Sequence, residues 1–297
     1  MRITSGMTAN NALYYLQKES SRLNLLNEQV ASGLVINRPS DDPISTRQIL
    51  DMNSDIKSGD QYLSNITKSN MWLSTTDTAL QGMAGFISQA KKLAGTITSG
   101  SSDQTVRDNA VSQLTELKKQ LVDMGNTQLG DQYIFAGFDN NSPPFSVASN
   151  VYNGTSDDIS VGISNNSTVA MNITGDDLLK GTGSYGSVDI LSTLDNLVTA
   201  ITNNNPTDIQ AAAAQLDESS DQITNARSDV ASKMTRLKSA KTMITQNQNT
   251  LSNIVSDMQN VDYTKAAVEL NQQQTAYEAA LSTTAKIMQM SLLDYLS

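Results

Sequence analysis

Three Asp–Asp pairs are the residues of this chain best suited to chemistry: Asp41–Asp42, Asp157–Asp158 and Asp176–Asp177. Paired carboxylates can hold a divalent cation or divide general acid and base roles between them. Neighbours in sequence rarely converge on one site, however, and a local role explains each pair. The first precedes Pro43 and predicts a helix cap, the second a turn before a strand, and the third a cap before Leu178. The 297 residues include no Cys and no His. That removes disulfides, thiolate ligands, the Ser-His-Asp triad and imidazole metal sites. Chemistry by carboxylate, Lys or Tyr stays open, so enzymes are disfavoured without being excluded. Gly181 and Gly183 lack the strand–helix frame of a phosphate loop, and no EF-hand loop is present. No catalytic, cofactor-binding or metal residue is predicted.

The elements that would have to position such groups argue for another task. The net charge is −10, which speaks against nucleic acid as a partner, and no dense Lys/Arg run offers a membrane or phosphate patch. Apolar residues are 38% of the chain and charged residues 17%, which predicts a thin core spread along an elongated shape. The longest uninterrupted apolar run is Ala12–Leu16, far short of the roughly 20 residues a membrane span needs. The N-terminal stretch MRITSGMTANNALYYLQ also lacks the apolar core of a cleavable secretory signal. Any export is expected to use another route.

Periodicity supplies the architecture. Ala9, Leu13, Leu16, Ser20, Leu23, Asn27 and Val30 alternate at four- and three-residue spacing, so one helix should run to about Gly33. Pro39 and Pro43 break the chain, and Asp42–Pro43 restarts it. A seam from Ile49 to Ala94 then predicts a helix from Ile44 to about Thr98, roughly 80 Å long. A third helix carries Val106, Ala110, Leu114, Leu117, Leu121 and Met124 and should fold back antiparallel. After an Asn205–Pro206 restart, a seam runs from Ile223 to Met258. A last helix starts at Asp262, with its seam through Ala267, Leu270, Gln274, Tyr277, Leu281, Thr284 and Met288 and with Leu292 and Tyr295 completing the face.

The middle is different in kind. Tyr133, Phe135, Phe138 and Phe145 cluster, and alternation at Ile159, Val161, Ile163 and at Val169, Met171, Ile173 predicts a β-hairpin around the polar stretch Ser164–Thr168. Residues 131–200 hold eight acids and one base, so −7 of the net charge lies there. The expected fold is mainly α with a small inserted β domain: an elongated, discontinuous helical rod with paired terminal helices. Residues 1–38 and 260–297 should form a terminal helical domain, 39–130 and 201–259 a long helical bundle, and 131–200 an acidic β-rich insert. Trp72 and the twelve Met are read as core fillers.

Helical apolar stripes usually mark internal core. Here each terminal helix is single, amphipathic and cut off by a breaker, so it needs a partner to cover its stripe. The other terminal helix is the nearest, and lateral packing with further copies would finish the burial. Candidate self-assembly residues are therefore Leu13, Leu16, Leu23, Val30, Leu270, Tyr277, Leu281, Met288 and Leu292. The candidate joint is Pro39, Asp41, Asp42 and Pro43.

The segment GLVINRPSDDPISTRQIL (Gly33–Leu50) resembles the N-terminal signature of the flagellin superfamily. QYIFAG (Gln132–Gly137), NITGDDL (Asn172–Leu178) and the C-terminal helix, with Gln272–Thr275 and its Ser291–Leu296 end, resemble the hook–filament junction branch of that superfamily. The resemblance implies a hairpin-like structural subunit with both ends in one helical domain, not an enzyme and with no cofactor. It implies export through the flagellar type III apparatus, with an export chaperone on the C-terminal helix. It further implies a homo-oligomeric ring at the junction, neighboured by hook-associated protein 1 and flagellin, with no nucleic-acid or membrane partner. The nearer rival is a flagellin-like filament subunit. The farther is a carboxylate-dependent hydrolase in the insert, which offers Asp but neither Glu nor His.

Overall fold

The computed structural model describes residues 5–100, 103–146 and 149–296. Six α-helices dominate: α1 (Ser5–Ser32), α2 (Pro43–Gly100), α3 (Gln104–Gly125), α4 (Ile190–Thr202), α5 (Pro206–Gln259) and α6 (Tyr263–Leu296). Between α3 and α4 lie six short strands, β1 (Gln128–Leu129), β2 (Gln132–Tyr133), β3 (Phe145–Ser146), β4 (Ser149–Tyr152), β5 (Ser160–Ser164) and β6 (Ser167–Ala170), then one π-helical turn at Asp176–Lys180. The mainly helical class with a small β insert is as expected.

Helix boundaries follow local chemistry. Asp42 accepts from the N–H groups of Ile44 (3.0 Å) and Ser45 (3.1 Å), so it caps α2 as Asp42–Pro43 predicted. Asp103 accepts from the N–H of Thr105 at the start of α3, and Asn205 from that of Thr207 at the start of α5. Asp262 accepts from the N–H groups of Thr264 and Lys265 at the start of α6. Gly33 closes α1 with φ +76°, the left-handed conformation that a residue with a Cβ resists.

The chain divides into two compact units, residues 1–58 with 246–297 and residues 59–245. In the second, one core joins the helices to the strands: Ile66, Leu73, Leu80 and Ile87 of α2, Leu114 and Leu121 of α3, and Leu216, Ile223 and Val230 of α5 are buried together. The strands form three separate antiparallel pairs, β1–β2, β3–β4 and β5–β6. The turn between β5 and β6 is tighter than the sequence suggested. Ser164 pairs with Ser167, leaving only Asn165 and Asn166 as the turn.

Residues 190–200, read from sequence as part of the β-rich stretch, belong to α4, which packs on α3 and has Leu191, Leu194 and Leu197 buried. Lys118 of α3 reaches Asp195 of α4 at 2.7 Å. The core-filler reading holds for Trp72 and Met83, but Met7, Met71 and Met243 are exposed.

Candidate self-assembly surface

The first unit is built from the two ends of the chain, with α1 packed against α6. On α1, Leu16, Leu23 and Val30 are half-buried and Leu26 is buried. Leu13, placed on the seam by its spacing, is 38% exposed. On α6, Leu270 and Tyr277 are half-buried, whereas Leu281 (49%) and Met288 (37%) are exposed. The side chain of Leu292 lies outside the described residues.

The covered face of α6 is Ala266, Leu270, Gln273, Tyr277, Ala280, Thr284 and Ile287, one residue out of step with the expected seam at four of seven positions. Small Ala266 and Ala280 at the contact let the helices lie close, and the bulkier Leu281 and Met288 are turned away. At mid-seam, buried Gln273 donates to the carboxylate and carbonyl of Glu19. A polar residue at one seam position can set the register of a helix pair. Tyr14 and Tyr15 stack edge-on at 5.7 Å and, with Leu25 and Val268, add to the uncovered apolar surface.

The candidate joint is tightly hydrogen-bonded. Asp41 Oδ2 accepts from the N–H groups of Asn37 (3.1 Å) and Arg38 (2.8 Å). Arg38 in turn donates to both carboxylate oxygens of Glu28, at 3.0 and 3.2 Å. The Asp42 carboxyl also accepts from the Ser45 hydroxyl at 2.6 Å. That bond first, and then the Ser45 and Ile44 N–H groups against a small opposing effect of burial, hold its pKa below the ordinary carboxylate value. Pro39 lines a cleft of about 150 Å³ with Ile36, Thr46, Ile49 and Leu50. Pro43 is the first residue of α2.

One feature of this joint has no signature in the sequence. The α1–α2 and α5–α6 breaks lie side by side and pair as a miniature antiparallel bridge. Val35 N–H donates to Gln259 O (2.7 Å) and Val261 N–H to Gly33 O (2.9 Å), around Leu34 and Asn260. Gly33 and Val261 are more than two hundred residues apart, so no local pattern could announce the contact.

The carboxylate pairs of the insert show no site. The Asp157 carbonyl accepts from Asn172 Nδ2. Asp176 accepts from the Ser156 hydroxyl at 2.9 Å. The expected cap before Leu178 is instead Gly175, without a side-chain cap bond, because the chain enters a π turn there. The Asp177 pKa is raised by burial and then by Asp176 and Asp158. Gly183 passes close to its carboxylate, since a Cβ there would lie 2.0 Å from Asp177 Oδ1. Among the described residues no group of three or more acids could hold a metal, and no helix is long and apolar enough to cross a membrane.

This geometry, long helices at both ends of the chain packed together with apolar side chains uncovered, is that of a structural subunit. Residues 3–140 match the bacterial flagellin N-terminal helical region and residues 213–296 the bacterial flagellin C-terminal helical region. The chain belongs to the flagellin family of flagellar structural proteins, which is not an enzyme family, and its place is the bacterial flagellum. Within that family it is similar to flagellar hook-associated protein 3 of Escherichia coli (strain K12), 23% identical over 89% of this chain and 90% of that protein. It is similar also to flagellar hook-associated protein 3 of Salmonella typhimurium, 21% identical over 98% of each. In fold it resembles the crystal structure of Bacillus cereus FlgL, with a TM-score of 0.59 at 20% identity over 68% of this chain and 97% of that one.

Proposed function

We propose that this chain forms the junction ring between hook and filament, each copy burying the uncovered stripes of α1 and α6 against its neighbours. The observation that carries the reading is the exposure of Leu13, Leu281 and Met288 on helices already paired with each other. A fully buried Leu contributes roughly 1.5–3 kcal/mol relative to an exposed one, so covering several per copy favours assembly. The names of the curated relatives and the three junction-like sequence segments noted above support the junction over other flagellar positions.

In this reading residues 1–38 and 260–297 are the assembly domain, 39–130 and 201–259 a helical bundle, and 131–200 an acidic face toward solvent. Pro39, Asp41, Asp42 and Pro43 form the joint between assembly domain and bundle. The chain travels unfolded through the flagellar type III apparatus, escorted by an export chaperone on α6, and finds hook-associated protein 1 and flagellin as neighbours. A chain without Cys suits that route, because no disulfide can lock a partly folded state before export.

Leu281→Asp tests the mechanism. It should leave residues 59–245 folded, by circular dichroism and thermal unfolding of the purified chain, and abolish incorporation into flagella. Normal filaments on cells carrying only this variant would refute it. The match to both flagellin regions favours a second reading, a filament subunit. A deletion strain separates the two. Loss of a junction subunit leaves hooks and sheds filament monomer into the medium, whereas loss of a sole filament subunit leaves no monomer to shed.

A further inference from the structure

The second unit carries an unfilled groove and, elsewhere on its surface, a side chain shaped to fill one. The groove, about 560 Å³, runs along α2 and is walled by Met71, Leu129 and Met234, with Asn70 and Ser74 on its polar side and Lys241 at its rim. A second depression of about 360 Å³ continues it past Ser74 and Thr75 toward Met124. Met71 is 54% exposed there, on the solvent-facing side of α2 beside exposed Thr67 and Ser74.

The complementary feature is Phe138, whose ring is 60% exposed and does not line the groove of its own chain. Its backbone is held from several sides. Phe138 N–H donates to Thr155 Oγ1 (2.8 Å), Thr155 N–H to Ala136 O (2.9 Å) and Tyr133 N–H to Asn140 O (2.9 Å). The Tyr152 hydroxyl spans the Phe135 and Thr155 carbonyls, 2.9 Å from each. A large apolar ring on so constrained a loop loses little further conformational freedom on docking.

We propose that Phe138 of one copy inserts into the Met71–Leu129–Met234 groove of the next, with Asp139 set against Lys241. The inference rests on the assembly reading above and adds a second contact to it, in the insert and bundle rather than the terminal helices. The commitment to a second copy as the occupant comes from complementarity on both counts. Thioethers make favourable contacts with aromatic rings, and an aromatic anchor in a pocket is the usual centre of a strong interface. Asp139 and Lys241 are exposed, of opposite charge, and without an ion-pair partner among the described residues. A knob and a hole on different parts of one chain make a head-to-tail contact, the type that closes into rings when the rotation permits.

The test is photo-crosslinking in purified flagella with Phe138→p-benzoylphenylalanine, which preserves the aromatic shape. Immunoblotting of an epitope-tagged chain first establishes its presence in the flagellum. If the wild-type chain is absent, the assembly reading fails and this contact with it. If the chain is present, irradiation should give a product of twice its mass, with the link mapped by mass spectrometry to α2 residues 67–75 or to Met234. Incorporated chain that gives no such product, or a product with another flagellar protein, overturns this contact and leaves the assembly reading standing. Charge reversal is the second measurement, on surface positions that do not threaten folding. Asp139→Lys and Lys241→Asp should each lower the crosslink yield several-fold and the double variant should restore it. Yields unchanged by either reversal overturn the pairing.

Discussion

Asp42 shows what a single residue contributes and why it was readable. Its carboxylate, followed by Pro43, takes up the orphan N–H groups that every helix start exposes, and the whole device lies within four residues. Because the pKa of the folded state is lowered, the cap is at full strength above the ordinary value of 3.8. It is lost as pH falls through the lower folded value. Acid titration should therefore speed amide exchange at the first turn of α2, and Asp42→Asn should flatten that response; an unchanged response would remove the carboxylate from the account. Gln222 was not readable. It is buried, donating to the Leu178 and Val188 carbonyls and accepting from Val188 N–H, so it fixes the π turn and the following loop to α5. Its partners are more than thirty residues away, and a lone Gln in a helix carries no sign of them.

At the scale of elements, heptad spacing located the long helices because a packed stripe repeats on one face whatever it packs against. Charged residues on these long helices pair across them. Arg227 Nε of α5 lies 3.0 Å from Asp77 of α2, and Lys91 pairs with Asp217. Both Arg227 and Asp77 keep about two-fifths of their side chains in solvent, 39% and 40%. A double-mutant cycle should give a coupling of only about 0.2–1 kcal/mol. Leu80→Ala beside them should cost about 2–5 kcal/mol in chemical denaturation, because Leu80 is fully buried. A coupling as large as the Leu80 effect would mean that the polar positions, not the apolar ones, hold the bundle. Spacing failed where a helix is short. Ile190, Leu191, Leu194, Leu197 and Ile201 of α4 make one apolar face, but a helix of thirteen residues beside a strand-rich stretch gives too short a pattern to stand apart from it. It failed again in the phase of α6, because periodicity reports that a stripe exists and not which of its two edges the first partner covers.

For the whole molecule the contrast is between a unit with a closed core and a unit whose helices keep apolar side chains in water. Residues 59–245 contain nearly all the fully buried side chains among the described residues, whereas α1 and α6 contribute only Leu26 and Ala266 as buried apolar residues there. Opening free energies follow such burial. Amide exchange on the purified monomer should be fast along α1 and α6 and slow in α3, α4 and the parts of α2 and α5 between residues 59 and 245. Uniform protection would mean that the terminal pair is complete without neighbours, and the assembly mechanism would fail.

The bridge at Leu34 and Asn260 has a mechanical consequence. A body tied on by one peptide link can swivel freely about it. Here the chain leaves and re-enters the terminal pair at adjacent points stapled by two backbone hydrogen bonds. Swivelling α1 and α6 against the neighbouring ends of α2 and α5 would have to shear those bonds, while bending across the line joining the two links would not. The joint is therefore stiff to torsion and compliant to flexure. In the assembly proposed above, that combination would let neighbouring copies pass torque while the axis curves.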